Sequence, residues 1–485
     1  MKLSFKLNHC FFFALALLMV AGNRSSGSEV DPWVASSRKH LGLTGPTMQI
    51  DPTFPYYKNR SNESIVDEIE LAGYKAVHYI VMNDKDVNGP LIEAFHAKGM
   101  PVWLMVVGNG TYSGAGLPAG WENWKLKMTK MPNNNFFHFF SLFNKDFLQW
   151  KKEVVVGLIK QYPFDGVEMA ETYFPEWDAI RTGYYGDVGP TAQAAFKEKY
   201  NLEMPDFTNP DSEKYYRKDV ERYKKWMQFR VDGVCDFQHE IFNGKGGVRG
   251  ARPDILIATW SLVINAGANS VAKIREDQGL DAVEIVEKVK PDVHFFQTHW
   301  PDWLKDETVL RPNYMKAYEN FTKPVRTKFP DVPLGLQADQ GSGKDMIKSS
   351  AWIKQFNEDV PKYGYSTWTT YEYHLGGYIY SDIPKPMKAV KTGKQTVIVS
   401  FNKRIDDASG SNIENYKVLG GGRLQSNALK SIRIDGNRAI LEFNAPVKGK
   451  LSLLINNISD TPALRLFKDT PENTMDHEQK IDVLQ

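Results

Sequence analysis

Cysteine is almost missing from the 485-residue chain, which has only Cys10 and Cys235. Cys10 lies in an N-terminal apolar stretch that reads as a removable leader, so Cys235 remains as a single thiol. Intramolecular disulfides are thereby excluded, and stability has to come from core burial. Runs of one charge are missing too. Sixty Lys and Arg face 58 Asp and Glu, for a formal charge of +2. A nucleic-acid partner requires clustered basic residues, which this sequence lacks. Beyond the leader no apolar run approaches the roughly 20 residues of a membrane-spanning helix, so no membrane span is expected. Metal and nucleotide signatures are equally scarce. His239 follows Cys235 at ligand spacing with no second pair beside it, and Gly341-Ser342-Gly343-Lys344 lacks the spacing of a nucleotide-binding loop. No metal and no cofactor are expected.

What is present begins with an address. Lys2 and Lys6 precede the apolar run at 10–20, and the small residues Ala21 and Gly22 follow. This is the pattern of a secretory signal peptide over residues 1–22, which makes the protein secreted or periplasmic. Cys10 stands at the start of the apolar run and not beside the cleavage point, which argues against lipid attachment.

With 42% hydrophobic and 24% charged residues, the chain has the balance of a globular protein. Eight short apolar runs, at 46–51, 76–83, 101–108, 164–171, 254–262, 292–299, 333–339 and 365–372, alternate with amphipathic stretches. That is the signature of parallel strands joined by crossover helices, and eight is the number of a (β/α)8 TIM barrel, an α/β fold. The clearest helix is expected at 213–242, where Tyr216, Val220, Tyr223, Met227, Val234, Phe237 and Ile241 form a stripe. Others are expected at 63–72, 144–161, 277–288 and 351–363. The barrel is assigned to 30–384, a Lys-rich linker to 385–395, a small all-β sandwich to 396–470 and a C-terminal tail to 471–485. Barrels of this kind build their sites on the loops after the strands. Two long insertions there, 109–141 and 172–210, are expected to be substrate walls.

Two resemblances sharpen this reading. The segments VIVSFNKRIDDASGSNIENYKVLG, LKSIRIDGNRAILEF and LSLLINNISD resemble the bacterial immunoglobulin-like module often appended to secreted polysaccharide-degrading enzymes. That resemblance implies an accessory domain without chemistry of its own. Strand four, FDGVEMAETYFPEW, resembles the fourth strand of barrel glycoside hydrolases, in which an Asp-Gly pair leads an apolar strand ending in an acid.

Glu171 ends that strand among aromatics, where partial burial raises a carboxyl pKa as a general acid requires. Glu168, on the alternate phase of the strand, is the reserve. The two face opposite sides unless the strand end bulges. Glycoside hydrolysis normally takes a second carboxyl group, and Asp339 at the end of strand seven ranks slightly ahead of Glu372 at the end of strand eight. The resemblance implies retention of configuration, with the two carboxyls about 5–5.5 Å apart. Tyr173, Trp177, Trp260, His299, Trp300 and Trp368 are the candidate substrate-binding residues, because aromatic faces suit the C–H side of a sugar. The partner is therefore a carbohydrate. The Gly-Ser-Gly-Lys loop after strand seven extends the class to anionic sugars, sulfated or uronic. The competing readings are a glycan-binding protein without catalysis, which would lack paired acids, and a polysaccharide lyase using Tyr173 or His299.

Overall fold

The computed structural model describes residues 38–82, 84–130, 137–175 and 178–485. The expected signal peptide and Trp177 lie outside them. Eight parallel strands close into a barrel: β1 (Thr47–Ile50), β2 (Val77–Ile80), β3 (Val102–Val107), β4 (Gly166–Ala170), β5 (Leu256–Leu262), β6 (Val293–Gln297), β7 (Leu334–Gln337) and β8 (Thr367–Glu372). Each pairs with its neighbours in sequence, and β8 returns to β1. Every expected strand is therefore present.

Both faces of each strand are covered, which is why the strands read as nearly continuous apolar runs. The outer helices include α1 (Asn62–Leu71), α2 (Gly89–Ala97), α3 (Lys145–Gln161), α4 (Val220–Phe242), α5 (Ala282–Val289), α6 (Glu319–Lys328) and α7 (Ser350–Asp359). Six of these start on a Ser, Asn or Asp whose side chain accepts a backbone N–H of the first turn: Ser61, Asn88, Asn144, Asp219, Asp281 and Ser349. The Asp219 cap starts α4 seven residues later than the apolar stripe suggests. The helix expected at 277–288 is two helices, Ser270–Gln278 and α5, parted at Gly279, whose φ of +64° suits glycine.

The register explains how the lower barrel fills. Trp103 of β3 pairs with Gly166 of β4, and Phe295 of β6 pairs with Gly335 of β7. Each buried ring lies over the glycine of the neighbouring strand. A Cβ on Gly166 would sit 2.4 Å from the Trp103 ring, and one on Gly335 would sit 2.4 Å from Phe295. Gly166→Ala is therefore expected to destabilise the protein by about 1–3 kcal/mol through overpacking. Gly157→Ala, at an open position inside α3, should be neutral or stabilising. Equal urea midpoints for the two variants would remove the packing argument.

The second unit is an eight-stranded mixed sheet. Its strands are β9 (Pro386–Lys391), β10 (Thr396–Phe401), β11 (Tyr416–Gly420), β12 (Arg423–Leu424), β13 (Leu429–Asp435), β14 (Arg438–Phe443), β15 (Leu451–Ile455) and β16 (Gln479–Leu484), in the order β12-β11-β15-β16-β9-β10-β14-β13. β9 joins two halves by pairing antiparallel with β10 and parallel with β16. One core that includes Val397, Val399, Phe401, Leu441, Leu453 and Ile455 lies between them.

Two boundaries are corrected. The segment 385–395 is not a linker, because it carries β9. The segment 471–485 is not a tail, because it carries β16. In β9 only Ala389 is buried, so the apolar signal was too weak to mark a strand. In β16 the alternation is limited to Ile481 and Val483, inside a polar segment.

The two units are joined by hydrogen bonds on both sides of the seam where β8 meets β1. Past β1, Arg404 Nη1 donates to the carbonyls of Tyr56 (2.6 Å) and Lys58 (2.7 Å), and the N–H of Ser61 donates to Asp435 Oδ1 (2.7 Å). Past β8, Lys403 Nζ donates to the carbonyls of Ile379 (2.8 Å) and Asp382 (2.7 Å).

Candidate active site

The C-terminal ends of the barrel strands open into a pocket of about 550 Å³. Its walls come from β1, β2, β3, β4, β7 and β8 and their following loops. Three carboxylates line it: Asp51, Glu171 and Glu372. Each is placed by a local departure from plain strand geometry or by a turn.

Glu168 and Ala170 belong to the inner face of β4, and simple alternation would send Glu171 outward. At Glu171 the backbone instead enters the left-handed region, φ +54°, and Ala170 and Glu171 both face the pocket. β8 repeats the device. Thr47↔Thr369 and Gln49↔Glu372 are the paired positions, so β8 carries one more residue than β1 between them. Tyr371 takes φ +84°, and Tyr371 and Glu372 both line the pocket. Such bulges and left-handed non-glycine residues cost energy and concentrate where a side chain must be re-aimed. Asp51, at the end of β1, is fixed by Thr53, whose N–H (2.9 Å) and Oγ1 (2.6 Å) donate to its Oδ1.

Asp339 stands just behind the wall. Its Oδ1 accepts from the N–H groups of Gly341 (3.0 Å) and Ser342 (2.8 Å), and Oδ2 accepts from the Ser342 hydroxyl. Those three donors favour the charged form, yet burial outweighs them and holds its pKa above the usual carboxylate range. Among the described residues none donates to Glu171 in this way. Burial, followed by the nearby Asp339 charge, pushes its pKa up to about 7. Glu372 is also driven well above its ordinary value, first by burial and then by Asp51 and Asp339. His374 Nδ1 lies 3.5 Å from its Oε2, but burial lowers that imidazole to about 3, so it adds no positive charge near neutral pH. The mouth therefore holds protons at a pH where isolated carboxyls have lost them.

No protein family model matches the chain, and no curated protein matches it. Among solved structures, the glycoside hydrolase domain of PgaB (BpsB) from Bordetella bronchiseptica superposes with a TM-score of 0.50 at 15% identity, over 70% of this chain and 96% of that one. The GH42 β-galactosidase Gan42B from G. stearothermophilus gives 0.48 at 12% identity, over 68% of this chain and 51% of that one, so the chain spans about half its length. The structural neighbours are glycoside hydrolase barrels. At these identities the likeness is one of fold.

Within this barrel the sequence candidates separate. Glu171 and Glu372 face one pocket, and Asp339 neighbours both. Glu168 lies deeper, fully buried, with Oε2 2.7 Å from His78 Nδ1. Trp368 is corrected: its Nε1 donates to Asn357 Oδ1 of α7 (2.8 Å), so it packs in the helical layer while Thr367 and Thr369 take the inner face. Trp260 points inward but is fully buried, with the Tyr173 ring 5.8 Å away. Tyr173 is held through its backbone by Asn109, which accepts from its N–H and donates to its carbonyl, both at 3.0 Å. His299 is half-buried and Trp300 exposed, and neither lines the pocket.

The two long insertions divide in the same way. Thr111, Tyr112, Ser113 and Ala115 of the first line the pocket. The second packs a small core of its own against α4, from Tyr185, Ala192, Phe196, Trp226 and Phe229. It contributes no lining residue among those described. Sequence reasoning missed Asp51, Tyr112, Tyr371 and the apolar wall of Phe54, Ile80, Met82, Met105 and Leu466. The strand-end position was a usable signal for Asp51 and Tyr371. A larger groove of about 730 Å³ lies between α3 and α4 on the outer helical face. No barrel strand end reaches it, and four of its charged residues pair with one another, Lys152 with Glu240 and Lys199 with Asp232.

Proposed function

We propose that the protein is a glycoside hydrolase that cleaves an oligo- or polysaccharide with two carboxyl groups, Glu171 as acid and Glu372 as its partner. The observation that carries this is their convergence on one pocket at the strand C-termini, with Glu171 protonated near neutrality. Glu171 gives its proton to the leaving oxygen. In the form of the cluster that keeps the Glu171 proton and leaves Glu372 ionised, Glu372 attacks the anomeric carbon or activates water. Asp339, its oxygens engaged by the Gly341–Ser342 turn, serves as the fixed charge that keeps the acid protonated. Several carboxyls in one buried mouth cannot all ionise together, and their proton loss belongs to the cluster. That is the half-protonated state a two-carboxylate mechanism uses.

The lining favours a neutral or cationic sugar over a sulfated or uronic one. Among the described residues no Lys or Arg lines the pocket, and Lys344 of the Gly-Ser-Gly-Lys loop is paired with Asp469. The leader at 1–22 supports a substrate outside the cytoplasm. A lyase mechanism through Tyr173 or His299 gains no support, because neither reaches the pocket.

Turnover is expected to fall on the alkaline side as Glu171 loses its proton near about 7, and on the acid side as the carboxyl cluster takes up protons until no ionised base is left. A reducing-sugar assay over hexose and aminohexose glycans, followed by a pH profile on whichever is cleaved, tests both statements. Absence of any cleavage defeats the activity. A profile still rising above pH 9 removes Glu171 as the acid.

A further inference from the structure

The connection between β15 and β16, residues 456–478, belongs to the C-terminal sheet but lies against the barrel. Asp460 is fully buried and gathers donors of its own unit, two of which, Lys403 and Asn473, also donate to barrel carbonyls. Its Oδ2 accepts from Lys403 Nζ (2.5 Å), from Arg465 and from Asn473 Nδ2 (2.8 Å). Asn473 Nδ2 also donates to the carbonyl of Tyr380 in the barrel (2.9 Å). Arg465 Nη1 donates to Thr470 Oγ1 and to the carbonyl of Pro471, both at 2.8 Å. Phe467 packs on the barrel core beside Tyr380, with ring centroids 5.7 Å apart.

Between the anchored Arg465 and Phe467 stands Leu466, 39% exposed, and it lines the carboxylate pocket. Among the described residues it is the pocket's one lining residue from the C-terminal unit. Its exposure is not that of a loose loop, since both neighbours are fixed. Among the described residues twelve large hydrophobic side chains are exposed, and three of them, Met82, Tyr112 and Leu466, line this one pocket. Clustered exposed apolar side chains around a polar centre mark a binding surface.

We propose that Leu466 is a sugar-binding residue and that the C-terminal domain completes the active site. Leu466 offers an aliphatic face to the C–H side of a sugar unit flanking the cleaved bond. The ligand is thus an oligosaccharide whose chain crosses the rim toward the C-terminal sheet. Longer oligosaccharides reach Leu466, whereas a single sugar beside Glu171 does not. This rests on the glycosidase reading for the identity of the ligand.

The test uses the full chain carrying Glu171→Gln. Calorimetry measures binding of hexose and aminohexose oligosaccharides of two to six units and of the matching 4-nitrophenyl monosaccharides. Adding Leu466→Asp should weaken the longer oligosaccharides at least tenfold, leave the monosaccharides within about twofold, and be largely reversed by Leu466→Met. As Leu466 is exposed, the melting temperature should not move; Leu466→Ala replaces the Asp variant if it does. Oligosaccharide affinity indifferent to Leu466, or equal losses for both ligand sizes, overturns the inference, as does a panel with no binding member. Binding that responds to Leu466 without cleavage by the unmutated protein defeats the glycosidase reading and leaves the role of Leu466 standing.

Discussion

Glu171→Gln is expected to lower turnover by about 10²–10⁴-fold, the usual contribution of a positioned acid, and to make the protein more stable above neutral pH. The second effect follows from linkage. The folded protein holds the Glu171 proton up to about 7, whereas the ordinary value is 4.5. Between those two values the folded state binds more protons than the unfolded one, so stability declines as pH rises through that window. Above it the charged, buried carboxyl costs on the order of 3 kcal/mol. A neutral Gln of the same shape escapes that cost. The variant should therefore gain up to about 3 kcal/mol at pH 8 and nothing at pH 4. Melting curves at both pH values, paired with the reducing-sugar assay, check this. Turnover within tenfold of the unmutated protein, or no stability gain at pH 8, would take the acid role away from Glu171.

Asp460→Ala should be the most damaging single substitution outside the pocket. It leaves the ammonium of Lys403 and the guanidinium of Arg465 buried without their shared counter-charge. Removing one member of such a group typically costs about 3–5 kcal/mol. The exposed pair Lys344–Asp469 bridges the same two units, but Asp469→Ala should cost less than about 1 kcal/mol because water screens it. Urea unfolding followed by tryptophan fluorescence separates these cases. Equal midpoints for the two variants would mean that burial of the Asp460 cluster adds nothing.

The barrel was legible because a strand covered on both faces leaves a run of apolar residues that no exposed element imitates. The acids were legible for a related reason: Glu171 and Glu372 end such runs, where an ionisable group has no packing purpose. Their aim was not legible. Alternation predicts one facing, and the left-handed turn at Glu171 and the bulge before Glu372 reverse it without a glycine to announce them. Trp368 misled in the opposite way. In TWTTYE the small polar residues, not the aromatic, take the barrel interior, while the Trp368 indole reaches Asn357 in the helical layer. Leu466 carries no signal at all. Its neighbours in the pocket are hundreds of residues away in sequence, and only the packing of one domain on the other makes it part of the wall.

The hydrogen bonds that straddle the β1–β8 seam give the assembly of the molecule an order. Strand β1 meets its partner β8 across about 320 residues of chain, so that closure carries a large loop-entropy cost and comes late. The groups that hold the seam from outside, Lys403, Arg404 and Asp435, lie later still in the sequence. During synthesis the barrel's eight strands thus precede the clasp that secures them. A chain not yet made through β8 leaves the outer edge of β1 unpaired and exposed to aggregation, and the C-terminal groups that hold the join follow only after that edge can close.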